Sequence, residues 1–105
     1  MAQFDVYRNA DIDSVEEFPY LLDIQAELLE PLATRIIVPL SSQRYAPKPL
    51  AVLNPEIRVV GETLIALFDE LFAYPKAKLG EKVGNLGTNY RREIQGAMDF
   101  LMRGY

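Results

Sequence analysis

The sequence predicts a mainly β domain with one C-terminal α-helix, its short antiparallel strands rolled into a barrel. Three observations carry that expectation. Apolar residues alternate with polar ones at a period of two in the first part of the chain. Turn-forming residues separate these runs closely, which favours hairpin connections over crossover helices. Only the last segment holds a long stripe at helical spacing. A small antiparallel sheet must hide its edges, and rolling up does so.

The elements follow in order. In QFDVY, Phe4 and Val6 point one way and Gln3, Asp5 and Tyr7 the other, as in a half-buried strand. RNADIDSVEEFP is polar and ends in a proline, so it reads as an exposed loop. YLLDIQAELLE alternates again: Tyr20, Leu22, Ile24, Ala26 and Leu28 share a face, and Asp23, Gln25 and Glu27 share the other. TRIIVPL is β-branched and apolar, with Pro39 pointing to an edge or bulge near its end. SSQRYAPKPLAVLNP, with three prolines, reads as a long loop.

EIRVV is a strand by its β-branched content, and Gly61-Glu62 reads as a hairpin turn. TLIALFDELFAYP fits a helix or a doubly buried strand; the adjoining turn favours a strand to about Phe68 and a short helical turn after it. AKLGEKVGNLG is a loop or short strand. Thr88 or Asn89 is placed to cap the last helix. Its stripe runs Tyr90, Ile94, Ala97, Met98, Leu101. No repeat or second domain is visible, so residues 1–105 form one domain.

Composition narrows the chemistry. The chain has no cysteine and no histidine. That removes disulfides, thiolate or imidazole metal sites and histidine-based nucleophilic catalysis. No cofactor, metal or catalytic residue is called for. No apolar run approaches the ~20 residues a membrane span needs, and the acidic, polar start is unlike a signal peptide. The expectation is a soluble cytoplasmic protein without membrane partners.

Charge is divided along the chain. Residues 1–34 hold eight acids and one base, a balance of −7; residues 35–105 hold ten bases and seven acids, a balance of +3. The acidic front half suits a basic partner. Nucleic-acid affinity rests largely on neutralising phosphates, so a chain of net charge −4 is a poor direct binder of DNA or RNA.

Five stretches, in order and over the full length, carry a family resemblance: QFDVY, LLDIQAELL, TRIIVPLS, YPKAKLGEKVGNL and the closing REIQGAMDFLMRGY. Together they resemble CcdB, the toxin of a plasmid-type toxin–antitoxin pair. The resemblance implies an SH3-like barrel with a long C-terminal helix, assembled as a two-fold homodimer. It implies a binder, not an enzyme: a poison that holds the A subunit of DNA gyrase on cleaved DNA. It also implies neutralisation by a CcdA-like antitoxin, through which alone the complex touches DNA.

The same resemblance supplies site residues. Ala26, Leu28, Asp99, Arg103, Gly104 and Tyr105 are the implied gyrase-binding set. This tip departs from the family pattern. Arg103 stands where an aromatic residue that packs on a gyrase arginine is expected, and Tyr105 where an aliphatic is expected. Asp99 replaces an amide and Ala26 a hydroxyl. An arginine facing an arginine loses cation–π attraction and adds like-charge repulsion; the Tyr105 ring is the available substitute.

Other residues weigh function against ordinary structure. Arg8, Asn9, Asp11, Asp13 and Glu16 form a candidate antitoxin-binding loop, against a plain solvated connection. Met98, Leu101 and Met102 are a core edge or dimer seam, since a helical stripe must cover something. Arg103 also suits the negative end of a helix, and Gly104 a helix terminus. Asp23 and Glu27 share a strand face and read as solvated. Arg35 is expected to pair with a front-half carboxylate such as Glu30. Two alternatives remain: an mRNA endonuclease toxin on the same barrel using Arg35, Thr34 and Ser41, or an inert module that only binds an antitoxin-like partner.

Overall fold

A computed structural model describes residues 2–46 and 50–105. Seven strands build one sheet: β1 (Asp5–Arg8), β2 (Tyr20–Asp23), β3 (Thr34–Ser42), β4 (Glu56–Val59), β5 (Glu62–Ala66), β6 (Phe72–Pro75) and β7 (Lys82–Asn85), followed by helix α1 (Arg91–Arg103). Every pairing is antiparallel, in the order β4-β5-β3-β2-β1-β7, with β6 also on β3. The sheet curls into a half-barrel that ends at β4 and β7. The predicted class, mainly β with a C-terminal helix, is the one observed.

Alternation explains the layers. Phe4 and Val6, Tyr20, Leu22 and Ile24, and Val38 and Leu40 point to one side, where Ile94 and Ala97 of α1 complete a single apolar cluster. The opposite face, carrying Asp5, Tyr7, Leu21, Asp23, Gln25, Arg35, Ile37 and Ser41, is buried as well. This corrects the expectation that Asp23 lies on a solvated face. A sheet covered on both sides gives its polar residues no water, so each must find a partner within the protein.

The β4–β5 hairpin forms, with its turn one residue earlier than the expected Gly61-Glu62. Val60 and Gly61 occupy its two turn positions, both at positive φ (50° and 78°). That is the signature of a type I′ turn, whose twist matches that of the strands. Pro39 stands inside β3 instead of at its end. The outer side of β3 pairs with β6 over Thr34–Ile37 and with β5 over Leu40–Ser42. Pro39 occupies the changeover between them, and its carbonyl accepts from the Leu67 amide at 3.1 Å. Pro39 still pairs with Leu21 of β2, but its missing N–H faces the outer side, where neither β5 nor β6 pairs with it.

Three boundaries move. The run from Tyr20 leaves the sheet after Asp23, and Glu27–Leu29 forms a 3-10 turn. Phe72–Pro75 is a strand where only a helical turn was expected, after the 3-10 turn at Phe68–Glu70. The expected loop over residues 41–55 begins only after Ser42, and its Pro47, Lys48 and Pro49 lie outside the described residues.

Helix α1 starts one residue later than its predicted caps. Tyr90 is the N-cap, without a side-chain cap bond. The reason is local. Leu86–Tyr90 already forms a turn, the Tyr90 amide donating to the Leu86 carbonyl at 3.0 Å, so Thr88 and Asn89 lie within that turn. The Tyr90 hydroxyl instead accepts from the Arg58 amide at 3.2 Å. It occupies a donor on the otherwise open edge of β4. Among the described residues no helix is long and apolar enough to cross a membrane.

Candidate functional site

The predicted residues gather on two surfaces and leave the interior to others. Met98, Leu101 and Met102 line an apolar groove of about 360 Å³ together with Ile24, Gln25, Ile36 and Leu71. Met102 is 78% exposed, so the helical stripe runs past the core into open surface. The sheet half of this groove was not singled out from sequence. Its signal was present in the alternation, because Ile24 and Ile36 share the parity of the core residues on their strands.

The helix ends by a specific device. Arg103 is its last residue, and Gly104 follows in the left-handed region at φ 85°, its amide donating to the Phe100 carbonyl at 2.9 Å. An αL residue at this point satisfies a terminal carbonyl and reverses the chain, and glycine adopts it without a Cβ penalty. Tyr105 emerges 82% exposed. The Arg103 guanidinium lies 5.8 Å from its ring centroid, a cation–π contact within the tip. Asp99 is exposed one turn earlier, beside Arg91, Arg92 and Gln95 on a shallow polar surface.

Ala26 and Leu28 are on a turn, not on the strand expected. Ala26 is the N-cap of the 3-10 turn, and Leu28 is 91% exposed at its centre. Ile24 and Gln25 on one side, and Leu101 and Met102 on the other, line the same groove. The chain just before Ala26 and the chain just before Arg103 are thus brought together, so both halves of the predicted gyrase-binding set leave one groove.

The loop after β1 is built by its own side chains. Asn9 is 7% exposed. Its amide nitrogen donates to Ser14 Oγ (2.9 Å) and the Phe18 carbonyl (2.8 Å), and its Oδ1 accepts from the Asp11 amide (2.9 Å). Asn9 therefore shapes the loop from inside, which corrects its expected place on a binding surface. Asp11 accepts from the Asp13 amide and from Ser14 Oγ, both at 3.0 Å. Arg8 and Asp13 are exposed, Arg8 3.5 Å from Glu81. Glu16 is exposed and accepts from the Tyr45 hydroxyl at 2.5 Å.

The largest finding that sequence reasoning missed is interior. Arg35 and Asp23 are both fully buried and form a two-pronged pair, Nε to Oδ2 at 2.7 Å and Nη2 to Oδ1 at 3.1 Å. Arg35 Nη2 also donates to the Gln25 carbonyl at 3.0 Å. The Gln25 amide donates to Asp23 Oδ1 (2.9 Å), and Gln25 Oε1 accepts from the Ile36 amide (2.9 Å). The expected Arg35–Glu30 pair is absent; Glu30 pairs with Lys76 at 3.2 Å. Lys76 holds the Glu30 carboxyl below its ordinary value. The available signal was one charge embedded in each of two apolar runs, LLDIQ and TRIIV.

A second polar cluster ties β1 to β7. The Asp5 carboxylate accepts from Asn85 Nδ2 (2.9 Å), the Ala2 amide (2.9 Å) and the Tyr7 hydroxyl (3.3 Å), and lies 3.3 Å from Lys82 Nζ. Burial pushes this carboxyl up, but the Asn85, Ala2 and Lys82 donors outweigh it and hold it below its ordinary value. Burial and the neighbouring Asp5 push the Tyr7 phenol up, so it stays a donor. Among the described residues no three acidic side chains gather as a metal site.

The family model described as "CcdB protein" matches residues 3–104. The chain belongs to the CcdB family. A solved structure, an endoribonuclease in complex with its cognate antitoxin from a mycobacterial species, superposes with a TM-score of 0.77. Identity is 15%, over 97% of this chain and 94% of that one. At that identity the likeness is one of fold, which this CcdB-family chain shares with the endoribonuclease. No curated protein sequence matches the chain in direct comparison.

Proposed function

We propose that this CcdB-family chain is the toxin of a toxin–antitoxin module, working as a two-fold homodimer in the cytoplasm by binding the A subunit of DNA gyrase and holding it on cleaved DNA. The observation that carries the reading is an outward apolar tip on a chain of this family. Leu28 and Tyr105 stand almost fully exposed on segments leaving one groove. Large exposed side chains on rigid elements are what a protein partner uses as anchors.

The groove lined by Met98, Leu101 and Met102 supports a dimer seam. An apolar surface beside a helix end is covered most economically by its own copy across a two-fold axis. Pairing the grooves brings two helix ends into one assembly, and so two Tyr105 tips. The action is occupancy, not bond-making. Arg103, over the Tyr105 ring, restricts that ring before binding. The acidic exposed loop with Asp11, Asp13 and Glu16 remains on the surface for an antitoxin.

The likeness to the endoribonuclease favours a second reading, RNA cleavage on the same fold. Its candidate residues do not converge. Arg35 is sealed against Asp23, and Ser41 is buried with its hydroxyl on the Ser42 carbonyl; only Thr34 is exposed. A phosphodiester cannot reach the first two, which supports the gyrase reading over this one.

The deciding experiment mixes purified protein with gyrase, ATP and supercoiled plasmid, and scores linear DNA after denaturing the enzyme. Linear product is expected, and deletion of Arg103–Tyr105 should abolish it while leaving fold and antitoxin binding intact. Unchanged poisoning by the truncated chain would remove these residues from the site. RNA cleavage by the wild-type protein, without linear DNA, would install the second reading.

A further inference from the structure

The turn between β2 and β3 has an unusual combination of properties. Its 3-10 segment Glu27–Leu29 buries none of its residues. A segment without apolar anchorage normally samples many conformations. Here two cations reach its backbone from elsewhere in the fold. Arg35 donates to the Gln25 carbonyl just ahead of the turn, and Lys76 Nζ donates to the Glu30 carbonyl just behind it at 2.5 Å. The Lys76 amide also donates to the Ala33 carbonyl at 2.9 Å, closing the exit.

We infer that Arg35 and Lys76 are positioning residues that clamp the Ala26–Glu30 turn from both ends, holding Leu28 outward as a preformed anchor for the protein target. The inference rests on the gyrase reading for the identity of that target. Hydrogen bonds from charged donors to carbonyls are among the stronger ones available. Fixing a loop in its bound shape lowers the entropy lost on association, so affinity rises without a new contact. The two clamps differ in cost. Arg35 must be desolvated and paired with Asp23 to reach Gln25, whereas Lys76 works from a partly exposed side, its second link being the Glu30 carboxylate.

The test uses two variants and two readouts. Lys76→Met removes the outer clamp at a partly exposed position, and the double change Asp23→Leu with Arg35→Met removes the inner one without stranding a buried charge. A glutamate-specific protease reports the turn through its Glu27–Leu28 bond, with fragments assigned by mass; Glu30 precedes Pro31 and is a poor site. Each variant should be cut there about tenfold faster than wild type, since cleavage follows the open population. The thermal midpoint of Lys76→Met should match wild type, and Lys76→Arg should restore the slow rate.

Linear DNA from gyrase should fall with the clamps, while antitoxin binding stays constant. Unchanged cleavage at Glu27–Leu28 in a folded Lys76→Met protein overturns the clamp. Faster cleavage with undiminished poisoning overturns its role in presenting Leu28. If the wild type itself is inert on gyrase, the target reading fails, and the cleavage rates still judge the clamp. Should the double variant not fold, Lys76→Met alone carries the test, and an unchanged cleavage rate in that folded variant overturns the clamp.

Discussion

Two regions at the same end of the β2–β3 connection invert the usual order of a small domain. Inside, Asp23 and Arg35 place opposite charges where no water reaches; outside, Leu28 stands 91% exposed on a turn that buries none of its residues. Charges are usually outside and leucines inside because each then loses least free energy. If Leu28 is the anchor proposed above, rigidity and recognition are divided here. On the proposed reading, the charges hold the backbone beside the turn, and the leucine is left outward for a partner.

The largest effect is expected where this division is broken from within. Asp23→Ala or Arg35→Ala alone leaves a buried charge without its counter-ion and should cost about 3–5 kcal/mol of stability. Chemical denaturation of each variant, followed by circular dichroism, checks it. The pair is incompletely satisfied even in the native protein, since Arg35 Nη1 is buried without a hydrogen-bond partner among the described residues. The paired apolar replacement strands no charge but leaves the buried Gln25 amide and carbonyl without these partners, so it should cost less than either single change without being neutral. A loss under about 1 kcal/mol in both single variants would mean that water reaches the pair and that the contrast between the regions is overstated.

A smaller effect concerns the second buried carboxylate. The folded state holds Asp5 below the ordinary value of 3.8. A depressed carboxylate contributes stability that is fully present above its unfolded pKa and is lost as pH falls through the folded one. Stability should therefore decline on acidification below about pH 4. Asp5→Asn should cost about 2 kcal/mol at neutral pH and progressively less toward low pH. Denaturant midpoints measured against pH for both proteins test this. Parallel curves would show that Asp5 is not the group that titrates.

These two regions also mark how far the sequence could be read. The alternation in QFDVY and YLLDI assigned the correct parity to Phe4, Val6, Tyr20, Leu22 and Ile24, because period two is a property of any strand, whereas TRIIV is apolar without alternation and left its faces unassigned. The helix stripe and the existence of the β4–β5 hairpin were legible from spacing and turn chemistry, although the turn sits at Val60-Gly61, one residue before the expected Gly61-Glu62. Asp23 was misread because parity does not say whether the second face is covered. β6 was missed because its four residues pair with β3 only and bury little, leaving no pattern to see. The exposed Tyr105 tip came from family resemblance, since an αL glycine and a terminal tyrosine also describe a frayed helix end.

The smallest stability effect belongs to the outer region, and it separates the two regions most sharply. Leu28→Ser and Tyr105→Ala remove side chains that touch almost nothing in the fold, so each should change stability by no more than about 0.5 kcal/mol. The loss should appear in target binding, where truncating a central apolar anchor typically costs about 2 kcal/mol or more, roughly thirtyfold in affinity. Titrating both variants against gyrase, with antitoxin binding as the control, compares the two numbers directly. A protein that is as stable as wild type, still neutralised by antitoxin and weak only toward gyrase would place recognition wholly on the exposed side. Equal weakening toward both partners would instead make Leu28 and Tyr105 a shared surface, and the antitoxin would then act by covering the tip.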